Sequence, residues 1–180
     1  MPIWAIIVIV AAVIVAAGAA WFFLERRRSG RLRRRFGPEY DRLVSEHRDR
    51  RAVERELARR EERVEHLHIR SLPPQERERF LSAWKADQAR FVDDPKGAVF
   101  DADALVTEVM RARGYPMADF DQRAADISVD HPAVVQNYRV ARDIVAGYNR
   151  GEAGTEDLRR AMVCYRALFD DLLELQEVRR

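Results

Sequence analysis

The sequence has a single cysteine, Cys164, among 180 residues. That excludes an intramolecular disulfide framework and any zinc site built on several cysteines. Histidine is scarce, with four residues, and eight glycines and seven prolines are widely scattered. There is no glycine-rich phosphate loop, no G-x-S-x-G and no H-E-x-x-H. No segment alternates apolar and polar residues for long, and no Asn-Gly or Asp-Gly hairpin signal occurs, which argues against a sheet. There is no internal repeat. The net charge is small, at +2, but unevenly distributed. Hydrophobic residues make up 47% and charged residues 34% of the chain. This is enough apolar material for a packed core, and the length suits one domain plus extras.

Residues Ile3 to Leu24 form a run of 22 without a charge. At ~1.5 Å per residue such a helix is about 33 Å long, enough for a ~30 Å hydrocarbon core. A helix packed on a soluble core carries a polar stripe, and this run has none. Trp4 lies near one end and Trp21, Phe22 and Phe23 near the other, as membrane-interface aromatics do. The run therefore predicts a transmembrane anchor. A cleaved signal peptide fits less well, because only Met1 and Pro2 precede the apolar stretch and no basic residue does.

Arginine follows immediately. Arg26, Arg27, Arg28, Arg31, Arg33, Arg34 and Arg35, with Glu25, give residues 25–35 a charge of +6, so the rest of the chain is net −4. Arginine beside a membrane end marks the cytoplasmic side. The expectation is an N-terminus outside, a single pass, and residues 25–180 in the cytoplasm. The same arginines suit anionic lipid headgroups, each worth about 1 kcal/mol near the surface. Nucleic acid is not expected as a partner, since the run abuts the bilayer and has no interleaved aromatics for base stacking.

Ser29-Gly30 and Phe36-Gly37-Pro38 are expected to interrupt any helix leaving the membrane. Pro38 suits a first helical turn. From there to Ile69 the chain is charged and free of Gly and Pro, which predicts one long helix of ~30 residues. Glu46 with Arg50, and Glu56 with Arg60, are favourably spaced pairs. Leu43, Leu57 and Val64 share a heptad register, but Arg50 occupies its fourth place. The pattern is poor for a coiled coil, and leaves homo-oligomerisation through 38–70 as a possibility beside a solvated stalk.

Beyond Ser71 the pattern is amphipathic and helical. Pro73-Pro74 open a helix carrying Phe80, Leu81, Trp84, Phe91 and Val92, stopped by Asp93-Asp94-Pro95. The next runs from Gly97 to Arg113 and ends on Gly114, a C′ glycine. A shorter piece carries Phe120, Ala124 and Ile127. Pro132 is expected to open a helix through Tyr148, and Thr155 to cap the last one, which carries Leu158, Met162, Tyr165, Phe169 and Leu172.

The chemical candidates are weak. Ser128, Asp130 and His131 are triad residue types too close in sequence for triad geometry, so the expected role of Asp130 or His131 is to cap the following helix. His66 and His68 point ~200° apart on a helix and share no metal. Asp93, Asp94, Asp101 and Asp103 do not match a calcium loop and suit helix termini. Cys164 flanks the last apolar stripe as a small core residue. No catalytic, cofactor-binding or metal residue is assigned, and no cofactor is expected.

Phe91-Val92-Asp93-Asp94-Pro95, Arg113-Gly114-Tyr115-Pro116, Ser128-Val129-Asp130-His131-Pro132 and Thr155-Glu156-Asp157-Leu158-Arg159 resemble an uncharacterised family of small bacterial proteins, mostly from actinomycetes. Its members have an N-terminal hydrophobic segment and a helical domain. The resemblance spans residues 31–174 and implies a bacterial source and an intact helical domain. It transfers no catalytic residue.

The sequence thus predicts an all-α protein: a transmembrane anchor over 1–24, an arginine-rich linker over 25–37, a long charged helix over 38–70 and a helical bundle over 71–176. The expected setting is the bacterial inner membrane. The expected function is a non-enzymatic interaction or scaffold module that binds a protein partner not identified by the sequence. The alternative is an extracytoplasmic envelope protein; a membrane-bound enzyme is a weaker third.

Overall fold

A computed structural model describes residues 3–174, giving the helical backbone alone for residues 3–14, 17, 20, 21 and 23–25. Among the described residues there are seven helices and no strand: α1 (Ile3–Glu46), α2 (Arg50–Glu65), α3 (Pro74–Arg90), α4 (Pro95–Arg113), α5 (Phe120–Asp130), α6 (Val135–Asn149) and α7 (Thr155–Leu172). The all-α expectation holds. Among the described residues, no helix is long and apolar enough to cross a membrane. Most side chains of the apolar run, including Trp4, Trp21 and Phe23, lie outside the described residues, so the transmembrane expectation falls largely outside them too.

The chain forms two compact units, Met1–Leu57 and Ala58–Arg180, with the boundary inside α2. In the first unit one of the two expected helix breaks is corrected and the other holds. Ser29-Gly30 does not interrupt the helix, because Gly30 keeps helical geometry and one isolated glycine costs a helix only about 1 kcal/mol. The break falls at Gly37, whose φ of 44° and ψ of −119° suit a residue without Cβ, and Pro38 starts the next helical stretch.

The long helix expected over 38–69 is also corrected. It stops at Glu46 and restarts at Arg50. The side chain of Asp49 accepts hydrogen bonds from the backbone N–H of Arg51 (2.9 Å) and Ala52 (3.2 Å), so it caps a new helix instead of continuing the old one. Glu46 accordingly binds Arg42 on its own helix, not Arg50. Nor are these helices a bare solvated stalk. Leu32, Phe36, Tyr40 and Leu43 on α1, and Val53 and Leu57 on α2, are all buried.

The second unit is the bundle. Its core is filled by Phe80 and Trp84 of α3, Val99, Val106 and Met110 of α4, Ile127 of α5, Tyr138 and Val145 of α6, and Leu158, Tyr165 and Phe169 of α7. Trp84 stacks on Phe169 with ring centroids 4.8 Å apart. Asp94 caps α4 through the Gly97 N–H, and Gly114 ends it at φ 99°. A Cβ on Gly114 would lie 2.5 Å from the His68 carbonyl oxygen, so glycine also permits the close pass of the 68–70 segment, where the Arg70 N–H binds the Arg113 carbonyl.

Two expected helix starts are corrected. Residues 132–134 form a turn and α6 begins at Val135; His131 closes α5, and its carbonyl accepts from the N–H of Val134 and Val135. Asp130 instead accepts from the Tyr115 hydroxyl at 3.1 Å. Gly154, not Thr155, is the N-cap of α7, and Asp157 reaches back to the Gly154 N–H at 2.9 Å.

Candidate anion-binding interface

All seven arginines expected to meet lipid lie exposed on α1. Their spacing spreads them around most of the helix. Leu32 and Phe36 (i, i+4) share one narrow buried stripe, with half-buried Ser29 nearby on the same side.

That side faces the start of α2, and a buried polar network joins them. Tyr40 Oη donates to Glu54 Oε1 at 2.8 Å. Arg50 Nε donates both to Tyr40 Oη and to Glu54 Oε1, each at 2.9 Å. Ser29 hydrogen-bonds the same carboxylate. Burial by itself pushes the Glu54 carboxyl up, but the bonds from Tyr40, Ser29 and Arg50 outweigh it and hold Glu54 below the usual carboxylate range. Burial and then Glu54 push the Tyr40 phenol up.

Beside this network lies an open cleft of about 520 Å³ lined by Phe22, Arg26, Ser29, Gly30, Arg33, Arg50, Arg51 and Glu54. The Arg26 guanidinium sits 4.7 Å from the centre of the Phe22 ring, which is exposed. Arg33 makes an exposed pair with Asp41 at 3.3 Å. A second concavity is lined by Arg26, Arg27, Gly30, Arg31 and Arg34, all from α1. Arg28 and Arg35 line neither. Of the residues lining the cleft, the sequence singles out Phe22 as an expected interface aromatic and Arg26 and Arg33 as expected lipid contacts; it does not single out Arg50, Arg51, Ser29 or Glu54 for such a place. Arg50 and Arg51 line the cleft because the break at residues 47–49 lets α2 fold back beside α1.

The polar groups singled out in the bundle are held by internal partners. His131 Nδ1 lies 2.6 Å from Asp171 Oδ2. Asp126, almost fully buried, accepts from Arg63 Nε and Gln122 Nε2, both at 2.8 Å. Ser128 donates to the Ala125 carbonyl at 2.6 Å. Asp103 accepts from Tyr165 Oη at 2.9 Å, and Arg90 pairs with Asp94 and Asp101. His66 and His68 are exposed, and half-buried Cys164 has its thiol pushed up by burial. Among the described residues no group of three or more His, Cys, Asp or Glu is placed to hold a metal ion.

No family model matches the chain, and neither does any curated protein or solved structure.

Proposed function

We propose that this chain is a single-pass membrane protein whose helical bundle is held at the cytoplasmic face of a bacterial inner membrane and binds a protein partner. The observation that carries this reading is seven exposed arginines on α1 directly after 22 uncharged residues, with helical backbone unbroken from Ile3 to Phe36. Arginine at that position holds its end of a span on the cytoplasmic side. The same charges attract anionic headgroups, at about 1 kcal/mol each. The remainder of the chain, net −4, is repelled by the same surface and keeps the bundle in solution. The function is tethered binding rather than catalysis. Two buried polar residues of the bundle have internal partners: Asp171 holds His131 Nδ1, and Arg63 with Gln122 holds Asp126 Oδ1.

In-cell crosslinking tests this, with the full-length protein beside a version lacking residues 1–24. The reading expects one protein enriched with the anchored form and lost with the truncated one. Self-crosslinks alone, or the same captures from both forms, would contradict it.

A further inference from the structure

Helix α5 is covered all round from Ala124 to Val129, and the buried residues include Asp126 and Ser128. A helix on the surface of a bundle buries one stripe, so burial on every side needs a second neighbour. At about 100° per residue the buried positions fall into two sets. Ala124 and Ile127 lie on one side and belong to the apolar core shared with α3, α4, α6 and α7. Ala125, Asp126, Ser128 and Val129 lie on the other side, and the apolar pair among them is not part of that core. The second half of α2 lies there. Arg63 Nε donates to Asp126 Oδ1 at 2.8 Å, and Arg60 Nη1 donates to Ser128 Oγ at 3.5 Å. Val64 of α2 is buried and likewise stands outside the shared core. This half of α2 is a strap over a bundle whose core is complete without it.

The strap is fastened by polar contacts. A buried ion pair adds little net stability, because desolvation offsets most of the attraction. Asp126 is also only half satisfied: Arg63 and Gln122 both reach Oδ1, while Oδ2 is buried without a hydrogen-bond partner. Beyond α2, the exposed residues Glu65 and His66 lead to Arg70, whose N–H is pinned to the Arg113 carbonyl. Residues 65–67 thus supply a hinge. We propose that α2 and a protein partner compete for this side of α5, and that residues 58–65 cover the partner site until they are displaced. The chemistry of the partner follows from what the strap presents: a helix with an arginine opposite Asp126 and apolar or small residues against Ala125 and Val129. An arginine fork that engages both carboxylate oxygens satisfies Oδ2, which Arg63 leaves unmet. That difference is what lets the partner win the site, since a ligand shifts an equilibrium only by its differential affinity. The existence of a natural partner rests on the binding reading above; the strap does not.

The test uses the full-length protein in neutral detergent micelles, read by amide hydrogen exchange and by binding of a fluorescent peptide of residues 54–67, which is the strap offered in trans. The peptide is supplied at about 1 mM, the order of the effective concentration of a tethered segment. Amides of residues 58–65 should exchange faster than those of α4 and α7, through an opening smaller than global unfolding. Arg63→Ala should speed their exchange at least about tenfold further. The peptide should bind the Arg63→Ala chain. It should bind at least about tenfold more weakly when the peptide itself carries Arg63→Ala, or when the chain also carries Asp126→Asn. Strap amides that exchange only together with α4 and α7, in the wild type and in the variant, overturn the strap. Opening without peptide binding, or binding indifferent to both substitutions, overturns the competition for α5. Any partner captured by the crosslinking above should speed exchange of residues 58–65; one that leaves it unchanged overturns the proposal while the tethered-binding reading stands. Opening and specific peptide binding with no captured protein support the covered site and count against the tethered-binding reading alone.

Discussion

Tyr40 donates its phenolic hydrogen to Glu54 Oε1 at 2.8 Å, and Arg50 Nε donates to both oxygens of that bond. This small triangle closes α1 onto α2 across the break at residues 47–49.

The triangle predicts a pH dependence. The Glu54 carboxyl is depressed in the folded chain relative to its ordinary value of 4.5. A depressed carboxyl contributes stability that is fully present above the ordinary value and is lost as pH falls through the folded one. Thermal melts of the full-length protein should therefore show a loss that begins near pH 4.5 and grows as the solution is acidified further. Glu54→Gln should lower the melting temperature near neutral pH and flatten that part of the acid loss. An acid loss of unchanged shape in the variant assigns the dependence to other groups.

Gly114→Ala should be costly. The residue sits at φ 99°, and the added Cβ would meet the His68 carbonyl at 2.5 Å. A left-handed non-glycine residue costs of order 1–3 kcal/mol before the clash is counted. Urea denaturation should register a loss at the upper end of that range or beyond, and the Arg70–Arg113 backbone amide should exchange faster.

Much of the bundle was legible because its signals are local. Asp94 and Gly114 mark both ends of α4, and the apolar stripes of α4 and α7 match their buried faces. The stripe expected for α3 holds only in part: Phe80 and Trp84 are buried, but the helix ends at Arg90 and Val92 is exposed. The errors share a cause. Asp49 caps α2 within a run whose composition shows no change, and Pro132 opens a turn, although proline commonly opens a helix. The cleft was half legible. Phe22 and the α1 arginines follow from their positions at the end of the apolar run and just after it, but bringing Arg50 and Arg51 beside them needs the fold-back at 47–49. The partners Ser29 and Glu54 lie 25 residues apart, and no local rule pairs them.

Arg63 holds a carboxylate that is almost wholly buried. Arg63→Ala should destabilise the bundle by about 1.5–3 kcal/mol, the range for a hydrogen bond to a charged group. Asp126→Asn in the same chain should give back part of the loss, because the orphaned charge is then gone. A double-mutant cycle by urea denaturation measures the coupling; additive losses would show that the pair is not coupled.

Trp84→Ala should cost about 3–5 kcal/mol, since it removes a buried ring stacked on Phe169. Trp84→Phe should cost less, because Trp84 Nε1 has no hydrogen-bond partner to lose. Chemical denaturation of both variants by circular dichroism checks the order.

The central claim is that the arginines of α1 hold the bundle on the cytoplasmic side of a membrane. Its most direct test is fractionation and topology mapping of the full-length chain with two C-terminal reporters: a fluorescent protein that matures in the cytoplasm, and an alkaline phosphatase that folds only outside it. The account predicts a membrane-bound, fluorescent, phosphatase-inactive protein. Replacing the seven arginines with glutamine should weaken that bias. A chain recovered in the soluble fraction, or one whose phosphatase fusion is active, would contradict it.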